Sequence, residues 1–242
     1  MHYISLGYFC SIAMELEKLG LRSESSPFDW LISDFEGVIH AIDNHFEDFL
    51  EQKYLAQNSR DHSHYKNVKY DVQFFHDFDP YQPLQDQLPS VQDKYNRRIQ
   101  RFYKSITEPT LFIRYINDKP NADNTSKELH WIEENYDSVI ALLKSFNAQN
   151  DILFIANDGV TSQKIKIYNV PKDDGDSVAR SPLTKTPALQ EIFYNIDLPE
   201  KQLNIERYLQ KQQSKRKSRL KKKLFTLLKK LFHKEYVHTQ LY

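Results

Sequence analysis

The sequence predicts an α/β fold, a layered sheet of mostly parallel strands flanked by helices. Three observations lead there. Residues 110–116 and 151–157 are nearly continuous apolar runs, as strands buried on both faces require. Helical periodicities over about 91–106 and 129–146 precede and separate those runs, so strand and helix patterns alternate through the middle of the chain. Residues 164–170 alternate cleanly between polar and apolar side chains and read as a half-exposed edge strand.

In chain order, a short apolar run from Ile4 to Leu6 stops at Gly7, and helical spacing begins at Ile12, Leu16 and Leu19, with Gly20 as the stop. The single cysteine, Cys10, therefore falls where a strand hands over to a helix. Unpaired N–H groups and the positive dipole end favour thiolate there, so a lowered thiol pKa and a nucleophilic role are expected. The alternative is a small buried hydrophobe. Pro27 makes 21–30 a loop, anchored by Phe28 and Trp30. Asp29 between them faces the other way, to orient a histidine, to bind a substrate hydroxyl, or to cap the next helix. That helix is read over about 35–49, with Phe35, Val38, Ile39, Ile42, Phe46 and Phe49 on one face.

The His62-Ser63-His64 stretch reads as a solvated loop in preference to a metal site. Val72 and Phe74 share one face of a short strand, and His76 at its end, followed by acidic residues, is a candidate general base or a structural histidine. Arg97, Arg98 and Arg101 cluster on the helix that turns Tyr95, Ile99, Phe102 and Ile106 inward. Arg114, inside a buried run, is costly unless paired, so it is either a substrate-binding group or half of a structural ion pair. Asn157-Asp158-Gly159 forms a turn at a strand's carboxyl end, where α/β proteins hold ligands. A polar loop over 173–187 and a short helix over 188–194 follow.

With 242 residues, only 5 glycines and 13% aromatic content, residues 1–200 are expected to form one globular domain. One cysteine rules out an internal disulfide and points to a reducing, cytoplasmic setting. No secretory leader pattern and no membrane-spanning apolar stretch is legible. The Gly-rich phosphate loops are missing, and no cofactor is expected. The zero net charge conceals a basic tail, residues 201–242, with 12 Lys and Arg and no Asp or Glu between 207 and 234. Leu220, Leu224, Phe225, Leu227, Leu228, Leu231 and Phe232 run through it as an apolar stripe. A basic amphipathic helix of this kind suits an anionic membrane surface, hence peripheral attachment at the inner membrane, or docking to a protein. Nucleic acid does not call for the stripe and is not expected as a partner.

The motifs Ser5-Leu6-Gly7-Tyr8-Phe9-Cys10, Pro27-Phe28-Asp29-Trp30 and Phe75-His76-Asp77-Phe78 occur in order. They are followed by Arg97-Arg98, Arg101-Phe102 and Leu111-Phe112-Ile113-Arg114. Over roughly residues 2–170 this pattern resembles a bacterial family of unknown function described as papain-like cysteine peptidases. The resemblance implies Cys10 as nucleophile and His76 as its base, with Asp29, Asp77 or Asp158 as the third group. No glutamine precedes Cys10 to complete an oxyanion hole, which leaves the N–H groups at the helix start for that role.

A cysteine-dependent hydrolase or acyltransferase at the cytoplasmic membrane face is therefore expected, since both reactions use one machinery. Arg98 and Arg114, with Trp30 and Asp77, point to an anionic small-molecule or glycan substrate. Members of the resembling family look like parts of surface-polysaccharide pathways. The competing expectation is thus a glycosyltransferase-type enzyme or accessory factor of surface-polysaccharide biosynthesis, with Cys10 structural. A noncatalytic adaptor acting through the tail is the third.

Overall fold

The computed structural model describes residues 1–57, 64–116 and 126–238, with side chains described to 223 and at 226. Its first half comprises β1 (His2–Ser5), α1 (Ser11–Lys18), β2 (Leu31–Ser33), α2 (Phe35–Asp43), β3 (Leu55–Gln57), β4 (Tyr65–Asn67), β5 (Val72–Phe74) and α3 (Leu84–Ile106). The second half comprises β6 (Thr110–Tyr115), α4 (Lys127–Phe146), β7 (Asp151–Asn157), β8 (Ile167–Val170), α5 (Pro187–Tyr194) and α6 (Lys201–His238).

Two sheets organise these elements. The strands β1-β6-β7-β8 pair in that order, all parallel, and β2-β5-β4-β3 form a second, antiparallel sheet. The apolar runs become the two central strands of the parallel sheet, and β8 is its edge. Period-two alternation splits β6 between two cores. Phe112 faces a cluster with Phe154, Phe35, Phe102 and Ile132, against α2, α3, α4 and the second sheet. Ile113 and Tyr115 face the other, with Ile12 and Leu16 of α1, Leu183 and Phe193. The result is an α/β molecule whose parallel sheet is covered on both faces, as all-parallel sheets require.

Of the antiparallel sheet only β5, through Val72 and Phe74, was legible in the sequence; its other strands, three residues long, show too little alternation. The helix expected over 35–49 ends at Asp43. Beyond it His45, Phe46 and Asp48 have positive φ (51°, 57° and 61°), and the chain coils back to bury Phe46, Phe49 and Leu50. Phe46 and Phe49 thus reach the core from a tight turn that mimics helical spacing. The third helix starts at Leu84 and runs through Pro89, a residue that reads as a break in sequence. His62 lies outside the described residues.

The tail begins as a helix at Lys201 and is fastened to α1. The Asn204 amide donates to the Gly20 carbonyl at 3.2 Å, and Lys211 Nζ to Glu17 Oε1 at 2.6 Å. Gly20 has φ +71°, and a Cβ there would meet the Lys201 carbonyl oxygen and lie 2.8 Å from Ile205 Cγ1. Gly20→Ala is therefore expected to cost about 1–2 kcal/mol in backbone strain and to loosen the start of α6. Limited proteolysis should then cut within 201–211 before the rest of the chain unfolds; unchanged cleavage would refute the contact. Leu220 is 59% exposed, while the side chains from Leu224 to Phe232 that complete the expected stripe lie outside the described residues. Among the described residues no helix is long and apolar enough to cross a membrane.

Candidate active site

Cys10 arrives at the carboxyl end of the parallel sheet, five residues after β1. The chain bends at Gly7, whose φ is +83° and whose carbonyl accepts from the Tyr115 N–H at 3.2 Å. Cys10 then serves as the N-cap position of α1, its carbonyl accepting from the Met14 N–H at 2.9 Å. No side chain caps this helix and its first turn holds no acidic residue, so the leading N–H groups stay available. Ser11 Oγ, buried beside them, has no hydrogen-bond partner. The thiol is half-buried, and burial pushes its pKa up, outweighing a backbone hydrogen bond that acts the other way. This direction is opposite to the lowered pKa expected from the helix N-terminus: at this depth desolvation of the thiolate dominates.

The loop between α1 and β2 brings in Asp29, fully buried. Its carboxylate pairs with the Arg22 guanidinium and accepts the Ser26 N–H at 2.8 Å, while Arg22 Nε donates to the Ala13 carbonyl at 2.7 Å and ties the loop to α1. Burial nevertheless raises the Asp29 pKa, opposed by Arg22, the Ser26 N–H and then Arg98. Asp29 Oδ1 and Arg98 Nη1 are both buried without a hydrogen-bond partner. Next to Asp29, the Trp30 ring stands edge-on to His76, centroids 6.5 Å apart. His76 follows β5 and is exposed, with Phe75 on its other side at 5.2 Å.

One face of α3 gathers the remaining groups, because Lys94, Tyr95, Arg98 and Arg101 follow helical spacing. Asp77 pairs with Lys94 and accepts the Tyr95 hydroxyl at 2.9 Å. Arg98 lies over the Tyr95 ring at 5.0 Å. Burial, then the Asp77 charge, drive the Tyr95 phenol well above its ordinary value, so it stays a neutral donor. Asp29, Trp30, His76, Asp77 and Arg98 are therefore brought to one region. The loop carrying Cys10 adjoins it: a Cβ on Gly7 would lie 2.6 Å from Ser33 Oγ and 3.9 Å from the Phe28 carbonyl. Among the described residues no hydrogen bond joins Cys10 to His76 or His76 to Asp29.

Arg114 has a different employment. Fully buried, it donates from Nε and Nη2 to Glu128 at 2.9 and 2.6 Å, from Nη1 to the Leu6 carbonyl and Ser33 Oγ at 2.7 and 3.1 Å, and from Nη2 to the Ser33 carbonyl at 2.6 Å. All five N–H donors of the guanidinium are used within the protein. The substrate-binding role read for Arg114 gives way to the ion-pair alternative, which joins β1, β2, β6 and α4. Asp158 is exposed beyond β7, and the Asn157 side chain is held by the Tyr115 hydroxyl at 2.7 Å. Among the described residues no group of three or more His, Cys, Asp or Glu could hold a metal ion.

Sequence reasoning did not find Arg22, Tyr95, Lys94 or Glu128 as partners. The i, i+3 spacing of Tyr95 and Arg98 was the one available signal for the stacked pair.

These features define an α/β protein with a single cysteine at a helix start and a buried charged cluster beside an exposed histidine. Residues 1–158 match the family described as "Putative papain-like cysteine peptidase (DUF1796)", and the chain belongs to that family. It is also 34% identical over 178 residues to an uncharacterized protein of Acanthamoeba polyphaga mimivirus, spanning 64% of this chain and 77% of that relative. No solved structure matches the chain significantly. The matched span holds every motif from Gly7 to Asp158 and stops short of β8 and the tail.

Proposed function

We propose that the chain is a cysteine hydrolase or acyltransferase in which Cys10 is the nucleophile and His76 its base. Membership of the papain-like family supports the class, and one structural observation carries the assignment. The lone thiol sits at an uncapped helix start beside the unpartnered hydroxyl of Ser11. Cys10 Sγ attacks an acyl carbon as His76 takes the thiol proton, and the oxyanion is held by the N–H groups of the α1 first turn and by Ser11 Oγ. His76 returns the proton to the leaving group, and water or a second nucleophile releases the acyl thioester. Arg98, with a buried unpartnered N–H, supports an anionic substrate group, and the basic sequence of α6 supports work at the cytoplasmic face of a membrane.

Because burial raises the thiol pKa, little thiolate is present at neutral pH. Alkylation of Cys10 by iodoacetamide is expected to be slower than that of a free cysteine and to climb with pH beyond the ordinary thiol range. Turnover of a carboxylate-bearing acyl thioester should rise with pH in the same way, and Cys10→Ser should lower it about a thousandfold or more. Activity that survives Cys10→Ser would end this reading.

The raised thiol pKa and the lack of a Cys10–His76 hydrogen bond favour one second reading. Here Cys10 is structural, and the chain is a glycosyltransferase-type enzyme or accessory factor of surface-polysaccharide biosynthesis that binds its ligand at Asp29 and Arg98. A thermal shift with a sugar nucleotide that persists in Cys10→Ser would support it.

A further inference from the structure

His76 is placed by the chain on either side of it. The residue is exposed, and its ring neighbours are the edges of Trp30 and Phe75, at 6.5 and 5.2 Å. Contacts of that kind orient a ring without fixing the backbone that carries it. That backbone leaves β5 at Phe74 and is pinned again at Asp77, so the position of His76 depends on what holds those two residues.

Tyr95 of α3 holds both. Its ring stands edge-on to Phe74 with centroids 5.5 Å apart, and its hydroxyl donates to Asp77 Oδ2 at 2.9 Å. Lys94 pairs with Asp77 Oδ1, so each oxygen of that carboxylate has a donor from α3. The Asp77 side chain is 4% exposed and Tyr95 is fully buried. Burial, then the Asp77 charge, keep the phenol protonated, so the hydroxyl stays the donor. A tyrosine serving only as core would be served as well by phenylalanine; this hydroxyl is spent on the neighbour of His76.

The same ring carries Arg98, whose guanidinium lies over it at 5.0 Å, one helical turn along α3. The base and the anion-binding group of the proposed site therefore rest on one buried side chain. Misplacing a reacting group by about 1 Å can cost about a hundredfold in rate. We propose that Tyr95 is a positioning residue: its hydroxyl, through Asp77, sets where His76 stands, and its ring sets where Arg98 stands. The effect on turnover rests on His76 being the base of Cys10, whereas the placement of His76 does not.

The two halves separate by substitution. Tyr95→Phe keeps the ring and loses the hydroxyl, so kcat for a carboxylate-bearing acyl thioester should fall about tenfold or more, with KM little changed. Tyr95→Leu loses the ring as well, and KM should also rise, about threefold. Nuclear magnetic resonance on the full chain reads the placement without turnover. The His76 ring-proton signals, identified by their loss in His76→Gln, are shifted by the Trp30 and Phe75 rings. In Tyr95→Phe they should move toward their positions in the unfolded chain. Gly20→Ala, which strains the chain at the α6 contact, should leave them in place and so separates positioning from general loosening. If Tyr95→Phe does not fold, Lys94→Met, which frees the other oxygen of Asp77, is read in the same way. His76 signals that stay in place, or that move as far in Gly20→Ala, would overturn the proposal, as would a parental kcat in Tyr95→Phe or a parental KM in Tyr95→Leu. A parent chain that does not turn over the thioester would end the Cys10–His76 reading alone, and the His76 signals would still decide the role of Tyr95.

Discussion

Glu128→Ala is expected to destabilise the fold by about 3–5 kcal/mol, because it strands the Arg114 charge where no water reaches it. In a chain of this size the melting temperature should fall on the order of 10 °C. Arg114 is 0% exposed, stacked 5.3 Å from the Phe35 ring, and Glu128 also accepts the Phe35 N–H at 3.1 Å. One carboxylate therefore serves both the ion pair and the first N–H of α2. Combining Arg114→Met with Glu128→Leu should cost less than the sum of the single changes, since removing both charges leaves none unpaired. It should still fall short of the parent, because the Leu6 and Ser33 carbonyls lose their donors. Urea denaturation of the three variants checks this; a single variant as stable as the parent would show that Arg114 finds other partners.

The second large effect is expected at Gly7. Its φ of +83° strains any side chain by about 1–2 kcal/mol. A Cβ would also sit 2.6 Å from Ser33 Oγ and 3.0 Å from Arg114 Nη1, intruding on the same polar knot. Overpacking of this kind costs about 1–3 kcal/mol, so Gly7→Ala should lose about 2–5 kcal/mol in all. The loop it disturbs carries Cys10, and the alkylation rate of that thiol should change with it. A Gly7→Ala chain with parental stability and parental thiol reactivity would refute the assignment.

The parallel sheet was legible because β6 and β7 are buried on both faces, a condition that only apolar runs satisfy. Position in the chain, the alternation of strand and helix and the edge character of β8 followed from the same rule. Of the second sheet only β5 was read, since three-residue strands carry little period, and the Phe46–Phe49 turn escaped because its buried aromatics keep helical spacing. Within the site, the residue types were legible and the pairings were not. Asp29 looked available until Arg22 claimed it, while the ion pair read as one of two roles for Arg114 needed the structure to identify Glu128 as its partner. The sign of the Cys10 shift was missed for a related reason: a helix start can be read from a pattern, whereas the depth at which it is buried cannot.

The fastening of α6 has a mechanical consequence. Its 38 residues give a rod about 57 Å long, and among the described residues its side-chain bonds to the body come from Lys201, Asn204 and Lys211, within its first eleven residues. Its start is tied to the end of α1, like a lever with a pivot there. If the basic tail does bind a surface, as proposed, that arm would set both a stand-off and an orientation for the sheet, and its stiffness, more than the strength of the binding, would govern how closely Cys10 approaches that surface.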